Sequence, residues 1–340
     1  MTDIAVVPDP RSAPAIRWGI IAPGSIARRF AREIPTYTAS SIVAVGSRDL
    51  GRAESFAQDF GIPRAHGSYE DLVADPEVDA VYVASPHSEH RDHAILALEA
   101  GKPVLVEKAF TINARQAGEV FAVAERRGLF VMEAMWSRFL PHYQTLKKLI
   151  DEGDLGAIRT VMASHCQSLN LDPAWRMWNP ALAGGALLDL GVYPLSCFHY
   201  LFGRPSAIVA SGILTESGVD LKETITLRYG TDVLAAAIND MSAAGVNRLS
   251  IVGDAGRADV ADWFYTPQDI KLTRFRESIE GPERLPTATE GGFQFEAAEA
   301  ARCIVAGKTE SSIMSWQDTL DVMVTMDEVR RQLGAHFPGE

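Results

Sequence analysis

The chain is predicted to be α/β, an N-terminal Rossmann domain with a doubly wound parallel sheet followed by a C-terminal α+β domain built on a large, mostly antiparallel sheet. Three observations predict it. In the first 135 residues short apolar runs alternate with helix-period segments, the pattern of repeated βαβ units. A glycine-containing turn follows the first apolar run where a helix should begin. Beyond residue 155 apolar runs succeed one another without helices between them, as antiparallel strands do.

In order, the first-half strands are expected over Trp18 to Ile21, Ile42 to Val45, Ala80 to Ala84, Val104 to Val106 and Phe130 to Met132. Helices are expected over Ile26 to Glu33, Arg52 to Phe60, Glu89 to Ala100 and Asn113 to Arg127. Gly61, Gly101 and Gly128 stand where the last three should end, at positions that favour φ > 0. Ser68 with Asp71, and Ser88 before Glu89, read as helix starts. In the second half Ile158 to Cys166, Ala207 to Leu214, Glu223 to Tyr229, Val233 to Ile238 and Arg248 to Val252 read as strands. Helices over Phe293 to Ala306 and Trp316 to Leu333 close the chain.

With 340 residues the chain exceeds one ordinary domain. We expect a flexible arm at 1–15, a dinucleotide-binding domain at 16–135 and a substrate and oligomerisation domain at 136–340. A net charge of −12 opposes nucleic-acid binding, which rests on basic contacts. No apolar run approaching eighteen residues is evident, so no membrane span is expected. The first fifteen residues lack the apolar core of a signal peptide, and Cys166, Cys197 and Cys303 form no C-x-x-C pair. Both features predict a cytoplasmic protein with unpaired thiols.

The turn Ala22-Pro23-Gly24-Ser25-Ile26-Ala27 matches the dinucleotide fingerprint, with alanine at the first glycine position. There Gly24 would let backbone approach a pyrophosphate, small Ala27 would let the helix pack close, and the helix N-terminus would supply free N–H groups. About twenty residues on, Ser47-Arg48 stands where an NAD-selective domain places a carboxylate. The pair suits a 2′-phosphate, and hence NADP(H), with NAD(H) possible. The other reading is a surface arginine opening the next helix, with Asp49 touching ribose.

Ser85-Pro86-His87-Ser88-Glu89-His90 and Glu107-Lys108-Ala109 follow strand ends on the same carboxyl edge, where doubly wound sheets bind ligands. A lysine there can lower the pKa of a neighbouring hydroxyl and hold a developing oxyanion. Taken alone, Lys108 reads as a solvated charge. In Gly184-Gly185-Ala186-Leu187-Leu188-Asp189-Leu190-Gly191-Val192-Tyr193-Pro194, Asp189 and Tyr193 are four apart and would share a helix face. Spacing alone makes them a surface carboxylate and a packed ring. His87, His90 and His93 recur every three residues, but no carboxylate or cysteine completes a metal set, and no metal is expected.

These motifs, in this order and joined by Ile251-Val252-Gly253-Asp254-Ala255-Gly256, resemble the Gfo/Idh/MocA family of glucose-fructose oxidoreductase and inositol dehydrogenase over Arg17 to Leu333. Met132-Glu133-Ala134-Met135-Trp136-Ser137-Arg138 and Gly307-Lys308-Thr309-Glu310-Ser311 look most like its branch of dihydrodiol and NADP-dependent xylose dehydrogenases. The resemblance implies that Lys108 is catalytic, with Asp189 and Tyr193 beside the reacting group. Ala22, Gly24, Ser25, Ile26, Ser47, Arg48, Ser85, Pro86, His87, His90, Glu107, Lys108 and Arg176 would hold the cofactor. Trp136, Arg138, Trp263 and Phe293 would contact a sugar, polyol or cyclic diol. It further implies an open-faced sheet that makes a homodimer or higher oligomer. Ala109 replaces the proline of the family's Glu-Lys-Pro, so a trans bond is expected after Lys108. The expected activity is NADP(H)-dependent hydride transfer to or from a CH–OH group. The alternatives are redox-assisted glycoside cleavage with a bound dinucleotide and a non-catalytic NADP sensor.

Overall fold

The computed structural model describes residues 3–170, 172, 175–275, 281–338 and 340. Along the chain run β1 (Arg17–Ile21), α1 (Ser25–Tyr37), β2 (Ser41–Gly46), α2 (Leu50–Phe60), β3 (Arg64–His66), α3 (Tyr69–Ala74), β4 (Ala80–Val83), α4 (His90–Glu99), β5 (Val104–Glu107), α5 (Ala114–Arg127) and β6 (Val131–Ala134). Then come α6 (Pro141–Asp151), β7 (Ile158–Cys166), α7 (Val192–Phe202), β8 (Ala207–Leu214), β9 (Asp220–Tyr229) and β10 (Val233–Asp240). The last elements are β11 (Leu249–Gly253), β12 (Gly256–Val260), β13 (Ile270–Arg274), β14 (Glu283–Leu285), α8 (Phe293–Val305) and α9 (Trp316–Leu333).

The chain divides into two compact units. One comprises Pro8–Trp136 with Gly291–Leu320, and the other Met1–Val7, Ser137–Glu290 and Asp321–Glu340. The division falls inside α9. In the first, hereafter the Rossmann unit, six parallel strands run in the order β3-β2-β1-β4-β5-β6. Strand order reverses between β1 and β4, so the loops leaving their carboxyl ends open at the switch point where such sheets bind ligands. Strands β4, β5 and β6 are buried at every residue, as strands covered on both faces must be. The core is aromatic where α1 crosses the sheet. Phe30 stacks on Tyr82 at 3.8 Å and meets Trp18 edge-on at 5.6 Å.

The second unit, hereafter the sheet unit, carries eight strands in the order β14-β13-β12-β11-β7-β10-β9-β8. Every pairing is antiparallel except that of β7 with β10. One face is buried through Val161, Ala163, Ile225, Leu227, Ala235 and Ala237, while alternate residues on the other stand in solvent. The expectation of strands without intervening helices is corrected here, since a π-helical turn (Leu187–Gly191) and α7 lie between β7 and β8. That segment is apolar on nearly all sides, so it shows no amphipathic periodicity. It also corrects the reading that no apolar run reaches bilayer length: Pro180–Phe202 does, and 83% of its most apolar window is buried inside the protein.

The N-terminal arm, expected to be loose, is held along its length. Ala5 N donates to Thr145 Oγ1 (3.1 Å), Lys148 Nζ to Asp3 O (3.1 Å) and Arg302 Nη2 to Asp9 O (2.9 Å). Backbone hydrogen bonds of this kind order a terminus. Residues 1 and 2 of the arm lie outside the described residues.

Candidate functional site

In the Rossmann unit the turn after β1 shows why its two small residues differ in meaning. Ala22 adopts φ 71°, a conformation that favours glycine, and its N–H and C=O are fixed by Gly46 O (3.1 Å) and Gly24 N (2.9 Å). Gly24 is extended (φ −84°, ψ −172°), and an added Cβ would meet only Ala84 O, at 3.8 Å. Nothing in the protein therefore demands glycine at 24. Ser25 and Ile26 open α1, whose first turn has no side-chain cap, so its N–H groups point outward from a positive helix end.

After β2, buried Ser47 accepts a bond from Asp49 N (3.2 Å), and Asp49 caps α2 by accepting from Arg52 N (3.2 Å). Arg48 is exposed and reaches the Tyr69 hydroxyl. Pro23, Arg28, Asp49, Arg52, Ser55 and Phe56 line a depression on this side of the unit. Arg28 and Arg52 bring guanidinium groups to it beside one carboxylate, Asp49, and Arg28 is also paired with Asp59 (2.7 Å). The Rossmann unit thus fits a dinucleotide: an uncapped helix end stands beside a glycine that the fold leaves open, and guanidinium groups follow β2.

The loops after β4 and β5 are tied together by imidazoles. His90 Nε2 faces Ser85 O (2.8 Å) and its Nδ1 faces Ala109 O (2.9 Å), while His87 Nε2 faces Lys108 O (3.3 Å). Burial pushes the His90 pKa down to about 4, so at neutral pH the ring is uncharged and its single N–H serves one of the two carbonyls. His93 faces Ser85 Oγ (2.9 Å) and the edge of Tyr69. The three histidines thus face different partner atoms, two of them on Ser85.

Glu107, buried at the end of β5, accepts from the Tyr82 hydroxyl and from Lys108 N (3.2 Å). The stack of Phe30 on Tyr82 therefore fixes the carboxylate that precedes the lysine. The trans bond expected after Lys108 is corrected, for Lys108-Ala109 is cis. Its surroundings hold it: the carbonyls on both sides face imidazoles, and Phe110 N donates to Glu133 Oε1 at 3.1 Å.

Trp136 and Phe293 come together at 5.2 Å with the Arg29 guanidinium 4.4 Å from each ring, and both are almost wholly buried. Arg29 also pairs with Glu33 (2.6 Å), which accepts from Phe293 N (2.9 Å). Sequence reasoning missed Glu296 of α8, fully buried with both carboxyl oxygens lacking a hydrogen-bond partner. Burial, reinforced by Glu107, Glu33 and Glu133, holds its pKa well above the carboxylate range. A charged residue on the apolar stripe of α8, one turn from Phe293 and beside Ala297, was the available signal.

In the sheet unit, Asp189 lies in the π-helical turn and pairs with Arg176 (3.1 Å). Tyr193 is the second residue of α7 and is buried. The α-helical i to i+4 relation expected between Asp189 and Tyr193 is replaced by the wider π turn. The turn is shaped from β9: Asp220 accepts from Leu187 N, and an added Cβ at Gly185 (φ 121°) would meet Asp220 Oδ1 at 2.2 Å. Burial raises the Asp220 carboxyl to about 7, and neighbouring Glu223 is held high by burial and by Asp220. Arg138, expected at the substrate, is fully buried and donates to Ser196 Oγ (3.2 Å) and O (3.3 Å). Trp263 is exposed and takes φ 62°. Sequence reasoning missed His165 and Tyr265, whose rings lie 5.3 and 4.5 Å from that of Tyr193. His165 continues the inward alternation of Val161 and Ala163, a position where a histidine is conspicuous.

A family described as "Oxidoreductase family, NAD-binding Rossmann fold" matches residues 16–135, and the "GFO/IDH/MocA C-terminal domain" matches 143–259. The chain belongs to the Gfo/Idh/MocA oxidoreductase family. Among its relatives, a trans-1,2-dihydrobenzene-1,2-diol dehydrogenase of Bos taurus is 36% identical over 332 residues, covering 95% of this chain and 98% of that one. The enzyme of the same name from Xenopus laevis is 34% identical over 331 residues, 95% and 100% of the two chains. Among solved Gfo/Idh/MocA-like structures, a 3-ketoreductase of Actinomadura kijaniata in complex with NADP and TDP-benzene superposes with TM-score 0.83 and 28% identity, covering 94% and 98% of the two chains. An aldose-aldose oxidoreductase of Caulobacter crescentus complexed with glycerol gives TM-score 0.84 and 26% identity, covering 94% and 97%.

Proposed function

We propose that this member of the family is an NADP(H)-dependent dehydrogenase or reductase acting on a CH–OH group of a cyclic diol, polyol or sugar. The observation that carries the reading is Glu107-Lys108 at the carboxyl end of β5, in a sheet whose neighbouring loops present an open Gly24 and Arg48. Relatives named as diol dehydrogenases, and a similar reductase solved with NADP, support the substrate class and the cofactor.

Gly24, Ser25 and Ile26 would hold the pyrophosphate on the N–H groups opening α1, and Ser47 with Arg48 the 2′-phosphate. The loop from Ser85 to His87 would flank it, with His90 acting as an internal tie. When bound, the nicotinamide supplies or accepts the hydride. Tyr193 moves the hydroxyl proton, Lys108 stabilises the oxygen as charge develops on it, and Asp189, paired with Arg176, orients the group in play. In the sheet unit, Trp263 would offer substrate an exposed aromatic face. A second copy of the chain is proposed to cover the open sheet face. There Met162 of β7, Leu234 and Ile238 of β10 and Val209 of β8 stand about half exposed or more. The test is a panel of cyclic diols, aldoses and polyols offered to the purified chain with NADP or NAD and read by NADPH or NADH absorbance. Turnover of none of them would refute the substrate class.

A further inference from the structure

Arg28 and Arg48 stand on neighbouring segments of the Rossmann unit, and they are held in opposite ways. Arg28 pairs with Asp59 at 2.7 Å, and its guanidinium lies over the rings of Phe56 and Phe60. Arg48, among the described residues, pairs with no carboxylate. Its exposed side chain is held by a phenol instead, the guanidinium donating to the Tyr69 hydroxyl. Burial raises the Tyr69 pKa above the ordinary phenol value even with Arg48 and Arg52 nearby, so the hydroxyl is neutral at about pH 7.

Three segments place that phenol. Ser68 caps α3 by accepting from Asp71 N at 3.1 Å, which fixes the turn on which Tyr69 is the first helical residue. Gly46, the last residue of β2, leaves room for the start of α3: an added Cβ there would lie 3.4 Å from Tyr69 Cδ1 and 3.1 Å from Leu72 Cβ. From α4, His93 meets the Tyr69 ring at 4.6 Å and 70°, and its Nδ1 faces Ser85 Oγ in the loop after β4 at 2.9 Å. The half-buried ring is thus fastened to the carboxyl ends of β2 and β4, the two neighbours of β1 in the sheet. Its hydroxyl is left at the one guanidinium that follows β2 directly.

We propose that Tyr69 is a positioning residue for cofactor selectivity, whose hydroxyl holds the Arg48 guanidinium, without neutralising it, where the 2′-phosphate of NADP(H) is taken up. The proposal rests on the reading of Arg48 as the 2′-phosphate contact. A long exposed side chain loses rotamer freedom when a ligand fixes it, and a contact that fixes it beforehand removes part of that loss. A carboxylate could hold the arm equally well, but it would cancel the charge and repel the phosphate. Binding would then have to break an ion pair such as that of Arg28 with Asp59. A neutral phenol holds the arm and leaves its charge to the ligand.

The experiment measures the binding of 2′,5′-ADP and of 5′-ADP to the full chain by isothermal titration calorimetry, so that neither turnover nor the nicotinamide enters. The wild type is expected to bind 2′,5′-ADP more tightly. Tyr69→Phe keeps the ring against Gly46 and His93 and is expected to lower that preference about ten-fold, by weakening 2′,5′-ADP alone. Arg48→Ala is expected to remove more of the preference. Adding Tyr69→Phe to Arg48→Ala is then expected to change neither affinity, because the phenol acts only through the arginine. A preference that Tyr69→Phe leaves unchanged overturns the proposal. So does an equal weakening of both nucleotides, or a Tyr69→Phe effect as large beside Arg48→Ala as in the wild type. The reading of Arg48 is judged separately: a preference that survives Arg48→Ala sinks it, whereas one that Arg48→Ala removes and Tyr69→Phe spares sinks the role of Tyr69 alone. A wild type with no preference overturns both.

Discussion

Lowering the pH should loosen the loop that carries Lys108, and the size of the effect can be worked from His90. Its pKa lies near 4 in the folded protein against 6.5 for the unperturbed side chain, because burial disfavours the imidazolium. A depressed histidine pKa means that the unfolded chain binds the proton more tightly. The contribution to stability is complete above pH 6.5 and is lost as pH falls towards 4. The full difference, about 2.5 pKa units, corresponds to roughly 3 kcal/mol, of which about 2 kcal/mol should be lost by about pH 5. His142, also pushed down to about 4 by burial, adds a loss of the same sign, while Asp220, raised to about 7, loses its contribution as pH rises instead. The wild-type profile alone is therefore a sum. His90→Gln isolates one member, since glutamine keeps an N–H donor for the carbonyls Ser85 O and Ala109 O but does not titrate. Urea unfolding at about pH 7.5 and about pH 5 should show the wild type losing about 2 kcal/mol more than the variant. Equal losses in the two proteins would refute the account of a neutral buried His90.

Other perturbations test the remaining parts of the site. Tyr193→Phe should lower kcat by about 10²- to 10⁴-fold with little change in cofactor affinity, as measured by steady-state kinetics and NADPH fluorescence. Arg48→Ala should raise the Kd for NADPH about 10- to 100-fold and that for NADH far less, because it removes a charge-assisted contact to the 2′-phosphate. Equal weakening of both would remove that role. Glu296→Gln should raise the melting temperature at about pH 8 by several degrees and at about pH 5 by less. Its carboxyl pKa is raised, so the stability it contributes disappears as pH rises, and a buried unpaired carboxylate costs about 1 to 3 kcal/mol. Ile238→Lys on the outer face of β10 should shift any dimer to monomer in light scattering while leaving the circular dichroism spectrum unchanged.

The Rossmann sheet was legible because its strands and helices announce themselves by length, apolar content and the terminal glycines. Gly61 and Gly128 indeed cap α2 and α5 in the left-handed conformation. Short β3 was missed, since three residues carry too little periodicity to register, whereas the start of α3 was legible from Ser68, which caps it by accepting from Asp71 N. Helix α8 was legible as a helix, but periodicity does not say which body a helix packs on, and Gly291–Leu320 belongs with the Rossmann unit. The π-helical turn was invisible because its side chains are buried all round and its register fits neither strand nor α-helix. Lys108 and Tyr193 were singled out from motif order. His165 and Tyr265 were not, because their nearness to Tyr193 joins positions far apart in sequence and exists only in the fold.

Glycines in a recognisable motif have different causes, and only the structure separates them. At Gly185 a methyl group would strike Asp220 at 2.2 Å in a backbone with φ 121°, so this glycine is required by the fold around the turn that carries Asp189. At Gly24 the backbone is extended and the nearest atom to an added Cβ is 3.8 Å away, so the fold would tolerate a side chain. On the proposed reading, the reason for glycine at 24 lies outside the protein, in a pyrophosphate that approaches the backbone at the start of α1. Conversely, position 22 does need the left-handed conformation, yet it carries alanine at φ 71°. Gly24→Ala should therefore leave stability almost unchanged and weaken NADPH binding, whereas Gly185→Ala should destabilise the sheet unit whether or not nucleotide is present. If Gly24→Ala instead lowered the melting temperature as much as Gly185→Ala and left NADPH affinity intact, the assignment of that turn to the pyrophosphate would be wrong.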